Sequence, residues 1–297
     1  MEPRKYMLST ETTCDMDPMF YATHNINLMG LTYNINDTDY DSMGDNVLSS
    51  KEFYKMVRGG AMPKTSQVTV EKARNSFEKL LQNGYDILHI SFSSALSGTY
   101  QSCCIAADDL KEQYPDRRIV VIDSRSASMG QGLLLTYAWQ QKEAGKSLEE
   151  LAAIVEEERF HLCHNFTVDD LFHLHRGGRV SKMTAVLGSA LGIKPTLHMD
   201  NAGRLINVGK VRGRKASLTW LVDRMEEKFD RKKSEMIYIS HGDCLEDAKY
   251  VADLVKKRFG IKNILIGDIG PVIGSHSGPG TVALFFFGES REINGNM

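Results

Sequence analysis

Tyr85–Asp123 reads YDILHISFSSALSGTYQSCCIAADDLKEQYPDRRIVVID, and the order of its patterns decides the fold class. The apolar-rich run Tyr85–Phe92 predicts a strand. Apolar and small positions then recur at helical spacing over Ser97–Gln113, and Arg118–Asp123 predicts a second short strand. Strand, helix, strand is the order that builds a parallel sheet covered on both faces by helices. The pattern continues downstream. Gly130–Glu143 predicts a helix, and Ser147 with Glu150 has capping-box spacing ahead of a further helix at Leu151–Phe160.

Upstream, Ala73–Leu81 is amphipathic and Thr69 is placed to cap it as a simple N-cap. The stretch Asn34–Asn46 is rich in Asp and Asn and reads as a surface loop. In the second half, Pro195–Met199 and Arg204–Val211 flank Asp200-Asn201-Ala202-Gly203, a hairpin turn. Arg214–Phe229 and Leu245–Phe259 predict helices, Glu235–Ser240 and Asn263–Gly267 strands, and Val282–Phe287 a buried closing strand. Hairpins mixed with crossovers predict a mixed sheet. The expected architecture is a two-domain α/β fold, with a parallel-sheet N-terminal domain (1–163) and a mixed-sheet α/β C-terminal domain (164–297).

The 297 residues are 42% hydrophobic, enough for substantial cores, and 36 basic against 38 acidic side chains leave a net charge of −2. That balance gives no reason to expect nucleic-acid binding. The first residues lack the apolar core of a secretory signal, and no apolar run approaches membrane-spanning length, so a cytoplasmic chain without stable membrane insertion is expected. The five cysteines are scattered without ligand spacing and read as free thiols. GxGxxG, GxxxxGK[ST] and GxSxG motifs are all lacking. His161 with His164, and His173 with His175, have no convincing third ligand, so neither a metal nor a cofactor is expected.

Four segments propose a site. Ser93-Ser94-Ala95-Leu96-Ser97-Gly98-Thr99 joins a strand end to a helix start, where α/β sheets place ligand loops and unpaired helical amides favour an anion. Serine there is also an ordinary N-cap. Thr65-Ser66-Gln67 lies in a second hydroxyl-rich turn. Ile269–Gly280 holds four glycines and two prolines, a composition that predicts a shaped loop rather than a regular element, with His276 inside it. Arg176-Gly177-Gly178-Arg179-Val180-Ser181-Lys182 is a compact basic turn suited to gripping a carboxylate or phosphate. Lys210–Lys215, with Arg212 and Arg214, is either a further anion or partner contact or a solvated face.

Taken together, these segments resemble the DegV family of fatty-acid-binding proteins, which includes the lipid-binding FakB subunits of bacterial fatty acid kinase. Thr65-Ser66-Gln67, SSALSGTYQS at Ser93–Ser102, IDSRSASMGQG at Ile122–Gly132, DDLFHLHRGGRVSK at Asp169–Lys182 and GPVIGSHSGPG at Gly270–Gly280 occur in the family's order across nearly the whole chain. Two departures stand out. Glu11-Thr12-Thr13-Cys14-Asp15 replaces D-S-x-x-D, and Val68 replaces the proline that commonly follows TSQ.

The resemblance implies two α/β domains around an apolar acyl tunnel. It implies carboxylate contacts from Thr65, Ser97, His276 and Arg179, with Ser93 and Ser94 as alternatives to Ser97. Supporting loop positions would be Ser66, Gln67, Gly98, Gly178, Gly274, Ser275, Ser277 and Gly278, and Arg176, Arg212 and Arg214 would be open to a partner. The implied activity is non-catalytic. A long-chain fatty acid would be presented to a separate ATP-dependent kinase subunit resembling the dihydroxyacetone (DAK) kinases, which forms the acyl phosphate for phospholipid metabolism. The alternatives are a carrier or sensor of another apolar carboxylate or lipid without a kinase, or a serine-type acyl hydrolase in which His276 activates Ser97 or Ser94.

Overall fold

A computed structural model describes residues 5–181, 192–233 and 235–292. Lys182 of the basic turn lies outside the described residues. The chain opens with strand β1 (Tyr6–Glu11), a short helix α1 (Pro18–Thr23) and β2 (Asn27–Met29). A hairpin follows, β3 (Thr32–Ile35) and β4 (Thr38–Asp41), and then helix α2 (Ser50–Arg58), β5 (Lys64–Ser66) and α3 (Val70–Gln82). Next come β6 (Asp86–Ser91), α4 (Thr99–Gln113), β7 (Ile119–Asp123), α5 (Met129–Glu143) and α6 (Leu148–Glu158). The first sheet has the order β2-β1-β6-β7 and every pairing in it is parallel.

The Asn34–Asn46 reading needs correction. Most of that stretch belongs to the β3–β4 hairpin, and Asn36 and Asp37 are its turn, both with positive φ (51° and 62°). Asn and Asp tolerate that conformation, which is what a tight two-residue hairpin requires, so the composition marked a turn rather than a loop. β5 pairs with the other edge of β3, setting Thr65 opposite Tyr33 in a separate three-stranded sheet.

The second sheet is built from β8 (Leu162–Thr167), β9 (Ile193–Met199), β10 (Leu205–Arg212), β11 (Ile237–His241), β12 (Ile264–Asp268) and β13 (Val282–Phe287). Its order is β10-β9-β8-β13-β11-β12, antiparallel except for the β11–β12 pair, so it is mixed. The expected division between residues 163 and 164 falls within β8. Helix α7 (Phe172–Arg176) follows β8, α8 (Arg214–Glu226) and α9 (Leu245–Phe259) cover the far face of this sheet, and α10 (Pro271–Ser277) precedes β13.

Helix α5 explains how the two sheets meet. Its sequence MGQGLLLTYAWQQKE carries no charge before Lys142, so it lacks a polar face and must be buried on several sides. It packs against β6 of the first sheet and against β8, β11 and β13 of the second. Leu133, Leu134 and Leu135 join Leu88, Ile90, Phe166 and Phe285 in one core. On the other side of the first sheet, Phe53, Phe77, Leu110 and Ile87 form a second core beneath α2, α3 and α4. Each such fully buried side chain stabilises the fold by about 1.5–3 kcal/mol. No helix among the described residues is long and apolar enough to cross a membrane, and all five cysteines are free.

The glycine-rich Ile269–Gly280 stretch also needs correction, because seven of its residues form α10. Pro271 occupies the first helical position, where the missing amide costs nothing, and Gly278 closes the helix at φ 76°. Gly274 answers to packing: a Cβ there would lie 2.6 Å from Tyr54 Oη. Proline and glycine here mark the ends and the closest contact of a helix, not its absence.

Candidate functional site

A cavity of about 180 Å³ opens where four separate segments converge. β6 ends at Ser91, and the chain crosses to the α4 start through a turn in which the Leu96 and Ser97 amides both donate to the Ser93 carbonyl. Gly98, rather than a serine, is the N-cap of α4, while the Ser97 hydroxyl accepts from the Thr99 amide at 3.2 Å and still lines the cavity. A Cβ on Gly98 would lie 2.2 Å from Gln67 Oε1, so any larger residue there would have to displace the Gln67 side chain. The Gln67 amide nitrogen donates to Ser102 Oγ, and the Val68 amide to Thr99 Oγ1, tying the Thr65 strand to the α4 start.

From the second half, α10 brings His276 to Thr65, with Nε2 and Oγ1 hydrogen-bonded at 2.8 Å across 211 residues of sequence. Arg179 reaches over the α4 loop, its Nε and Nη2 both donating to the Leu96 carbonyl at 3.2 and 3.0 Å. Thr65, Ser66, Gln67, Ser97, Gly98, Arg179, His276 and Ser277 all line the cavity. Burial, with Arg179 and Arg176 beside it, holds His276 down at about 4, so the ring is neutral at physiological pH. His276 Nδ1 and Ser277 Oγ are buried with no hydrogen-bond partner among the described residues.

Other sequence candidates lie elsewhere. Ser93 is buried and donates to the Gly203 carbonyl, and Ser94 donates to Asp123 Oδ2 at 2.5 Å, so neither lines the cavity. Among the described residues none of the three candidate serines is hydrogen-bonded to His276: Ser93 and Ser94 are bonded elsewhere, and the Ser97 hydroxyl is engaged with Thr99. Gly178 in the basic turn, Gly274 and Ser275 within α10 and Gly278 at its end do not line the space. Arg176 is half-buried against His173, and Arg212 is exposed at the end of β10. Arg214 is committed internally, to Asp247, Asp169 and the Gly280 carbonyl.

The bore beyond the mouth is mainly apolar, with Phe92, Leu96, Phe166, Met199, Ile273 and Phe285 in its wall and Ser128, His164, Ser240 and Thr281 among them. The apolar positions were missed in the sequence because each looks like any core residue; only the tertiary fold makes them a wall. A second cleft is wider, about 1020 Å³, and holds Asp15, Asp17 and Asp268. None of the described residues lining the narrow cavity is acidic, whereas it has Arg179 and hydroxyls at its mouth. A carboxylate with an apolar tail therefore suits the narrow cavity and is repelled by the wide one. One trio, Glu11, His89 and Cys103, brings potential metal-ligand atoms within 4.8 Å of one another. Its carboxylate is already filled by four donors, and burial pushes the Cys103 thiol far up, away from the thiolate a metal needs.

Comparison with known proteins agrees with the geometry. The sequence pattern of the DegV family, described as uncharacterised proteins, matches residues 5–289. A DegV domain-containing protein of Clostridium perfringens is 45% identical over 289 residues, covering 97% of this chain and 99% of that one. Among solved structures, a DegV family protein from Thermus thermophilus, characterised by fatty acid binding, superposes with a TM-score of 0.83 at 27% identity, over 96% of this chain and 99% of that one. A DegV family protein from Ruminococcus gnavus, seen with vaccenic acid, gives 0.84 at 26% identity, over 94% and 99%.

Proposed function

This chain belongs to the DegV family, and from that footing we propose that it binds a long-chain fatty acid and does no covalent chemistry on it. The observation that carries the proposal is a single cavity with Arg179, Thr65, Ser97 and His276 at one end and a mainly apolar bore behind them. The carboxylate sits at the mouth, taking hydrogen bonds from the Thr65 and Ser97 hydroxyls and charge from Arg179. His276, neutral without ligand, gains an anion beside it and takes up a proton more readily. The tail follows Phe92, Phe166 and Phe285 inward, each buried methylene contributing roughly 0.8 kcal/mol before ordering costs.

The exposed Ser66 and Gln67 and the half-buried Arg176 surround the mouth, leaving the carboxylate near the surface. That supports presentation to a separate ATP-dependent kinase subunit resembling the dihydroxyacetone kinases. Nucleotide and metal would belong to that partner, and this chain would supply burial and orientation.

Native mass spectrometry of the purified chain, followed by lipid analysis of what it releases, tests the binding. One long-chain acid per chain is expected, and Thr65→Val with Arg179→Ala should lower retention at least ten-fold while the fold persists. No retained acid and no uptake of added oleate or palmitate would refute the reading. Acyl phosphate formation by a purified kinase of that class, from loaded chain and ATP, tests delivery. If acid binds but no such kinase acts on it, the chain is a carrier without that partner.

A further inference from the structure

The wide cleft is bounded by an outermost strand of each large sheet. β2 ends the first sheet and contributes Leu28; β12 ends the second and contributes Leu265, Ile266, Gly267 and Asp268. Successive side chains of a strand point to opposite faces of its sheet, so a space that touches four residues in a row meets the strand along its edge. That edge is open. β12 pairs only with β11, and among the described residues no backbone hydrogen bond reaches its outer side over Leu265–Asp268. Free edges are usually guarded by a lysine, a proline or a bulge, and Ile264–Asp268 (ILIGD) has none of these.

The surroundings of the edge select what can join it. Met43, Val47 and Leu265 line the cleft and are each 40–42% exposed, and Met19, 68% exposed, stands on α1 between the lining residues Pro18 and Phe20. These are four of the nine large apolar side chains exposed among the described residues, and such a gathering marks an interaction surface. Charge is equally one-sided. Asp15, Asp17 and Asp268 line the cleft with His241, and among the described residues no Lys or Arg does. Asp268 is half exposed, with His241 Nδ1 3.5 Å from its carboxylate. Leu265 and Asp268, three residues apart, belong to opposite faces of β12. The strand therefore offers an apolar group on one face and an acid on the other. Val272 is the one residue this lining shares with the acyl cavity, so a partner seated here does not cover Thr65 or Arg179 at the mouth.

We propose that the cleft is a docking groove for an extended, cationic segment of a partner protein, which adds as a further strand to the free edge of β12. The segment's backbone takes up the open amides and carbonyls of Leu265–Asp268. Its apolar side chains lie on the Leu265 face, and the Lys or Arg side chains alternating with them meet Asp268 on the other. The ILIGD strand of a second copy brings no cation to the groove, so charge favours a foreign segment over self-pairing. The proposal is independent of the acyl-binding reading above.

The test offers the full-length chain a pool of capped hexapeptides in which Val or Leu alternates with Lys, each about 20 Å long when extended and so able to span β12. Native mass spectrometry should show one peptide per chain, and at least ten-fold less of a matching pool with Glu in place of Lys. On adding the Lys pool, alternate amides within Leu265–Asp268 should exchange hydrogen at least ten-fold more slowly. Methylating every second backbone nitrogen of the peptides keeps their charge and removes donors, and in one of its two phases should abolish binding. Leu265→Lys, which guards the edge with a charge, should abolish it as well while circular dichroism matches the parent. Asp268→Asn, which leaves the edge apolar, should reduce the preference for Lys over Glu several-fold. The proposal is overturned by no binding of the Lys pool, by equal binding of the Glu pool, or by binding that survives Leu265→Lys or both methylation phases. A dimer of the peptide-free chain that Leu265→Lys splits would also overturn it, because a second copy would then occupy the edge.

Discussion

Glu11 and Asp15 lie four residues apart at the end of β1, and both carboxylates are enclosed, yet the fold treats them oppositely. Glu11 is fully buried and takes four donors: His89 Nε2 and Ser91 Oγ on one oxygen, the Phe92 amide and Gln131 Nε2 on the other, at 2.6–3.0 Å. Burial alone would raise it, but His89 and the donated hydrogen bonds outweigh burial and hold it below the ordinary carboxylate range. Asp15 takes two donors, Ser128 Oγ at 2.6 Å and the Gly270 amide at 3.0 Å. Enclosure wins there and pushes it up to about 7. The number of donors, more than depth, decides whether a buried carboxylate keeps its charge. Each also braces one wall of the cavity, Glu11 through the strand end at Phe92 and Asp15 through the starts of α5 and α10.

The sharpest way to break the comparison is to remove the well-satisfied charge. Glu11→Ala leaves four donors facing a void, and should destabilise the chain by about 3–5 kcal/mol, read as a fall in urea midpoint. A loss under 1 kcal/mol would mean that the four bonds contribute little. Next is Glu11→Asp, which supplies the carboxylate that the DegV pattern usually has at this position. One methylene shorter, it cannot keep all four partners, and losing one or two of them should cost about 1–3 kcal/mol. If Glu11→Asp is as stable as the parent, the surrounding residues adapt to either length, and the extra methylene carries no structural meaning.

Much of this was legible locally. Ser97, Thr65, Arg179 and His276 stand out because each lies in a short stretch whose turns and hydroxyls have few other uses. The parallel first sheet followed from strand-helix-strand order, and the hairpin at Asp200–Gly203 from its turn residues. Other features depend on partners far away in the chain. His164 looks like one of several histidines until the β8–β13–β11 register sets it beside Phe285 in the wall of the bore. The α10 helix hid behind glycines, one of which, Gly274, has its reason in a neighbour, Tyr54, more than 200 residues upstream. Asn36-Asp37 was read as a loop because composition does not distinguish a loose segment from a two-residue turn. Glu11 and Asp15 were visible as departures from a motif, but their opposite charge behaviour needs the donors contributed by β6, α5 and the start of α10.

The smallest effect separates the two carboxylates most cleanly, because it has a sign. With Asp15 at about 7 in the folded chain against an ordinary 3.8, the folded state holds a proton that the unfolded state releases between these values. Its contribution to stability is therefore fully present below about pH 4 and is lost as pH rises through 7, where a charged carboxylate sits with only two donors. Asp15→Asn keeps both partners, its oxygen accepting from Gly270 and its amide donating to Ser128, and carries no charge at any pH. It should match the parent near pH 4 and exceed it at pH 8 by on the order of 1–2 kcal/mol, the full shift being reduced by the edge of Asp15 that opens on the wide cleft. His164, His198 and His276, all held below the usual histidine range, pull the other way, their contribution being lost as pH falls. They are common to both proteins, so the difference in urea midpoint between parent and variant isolates Asp15. A difference that does not change between pH 4 and pH 8 would show that Asp15 stays charged like Glu11, and that two donors suffice where four were thought necessary.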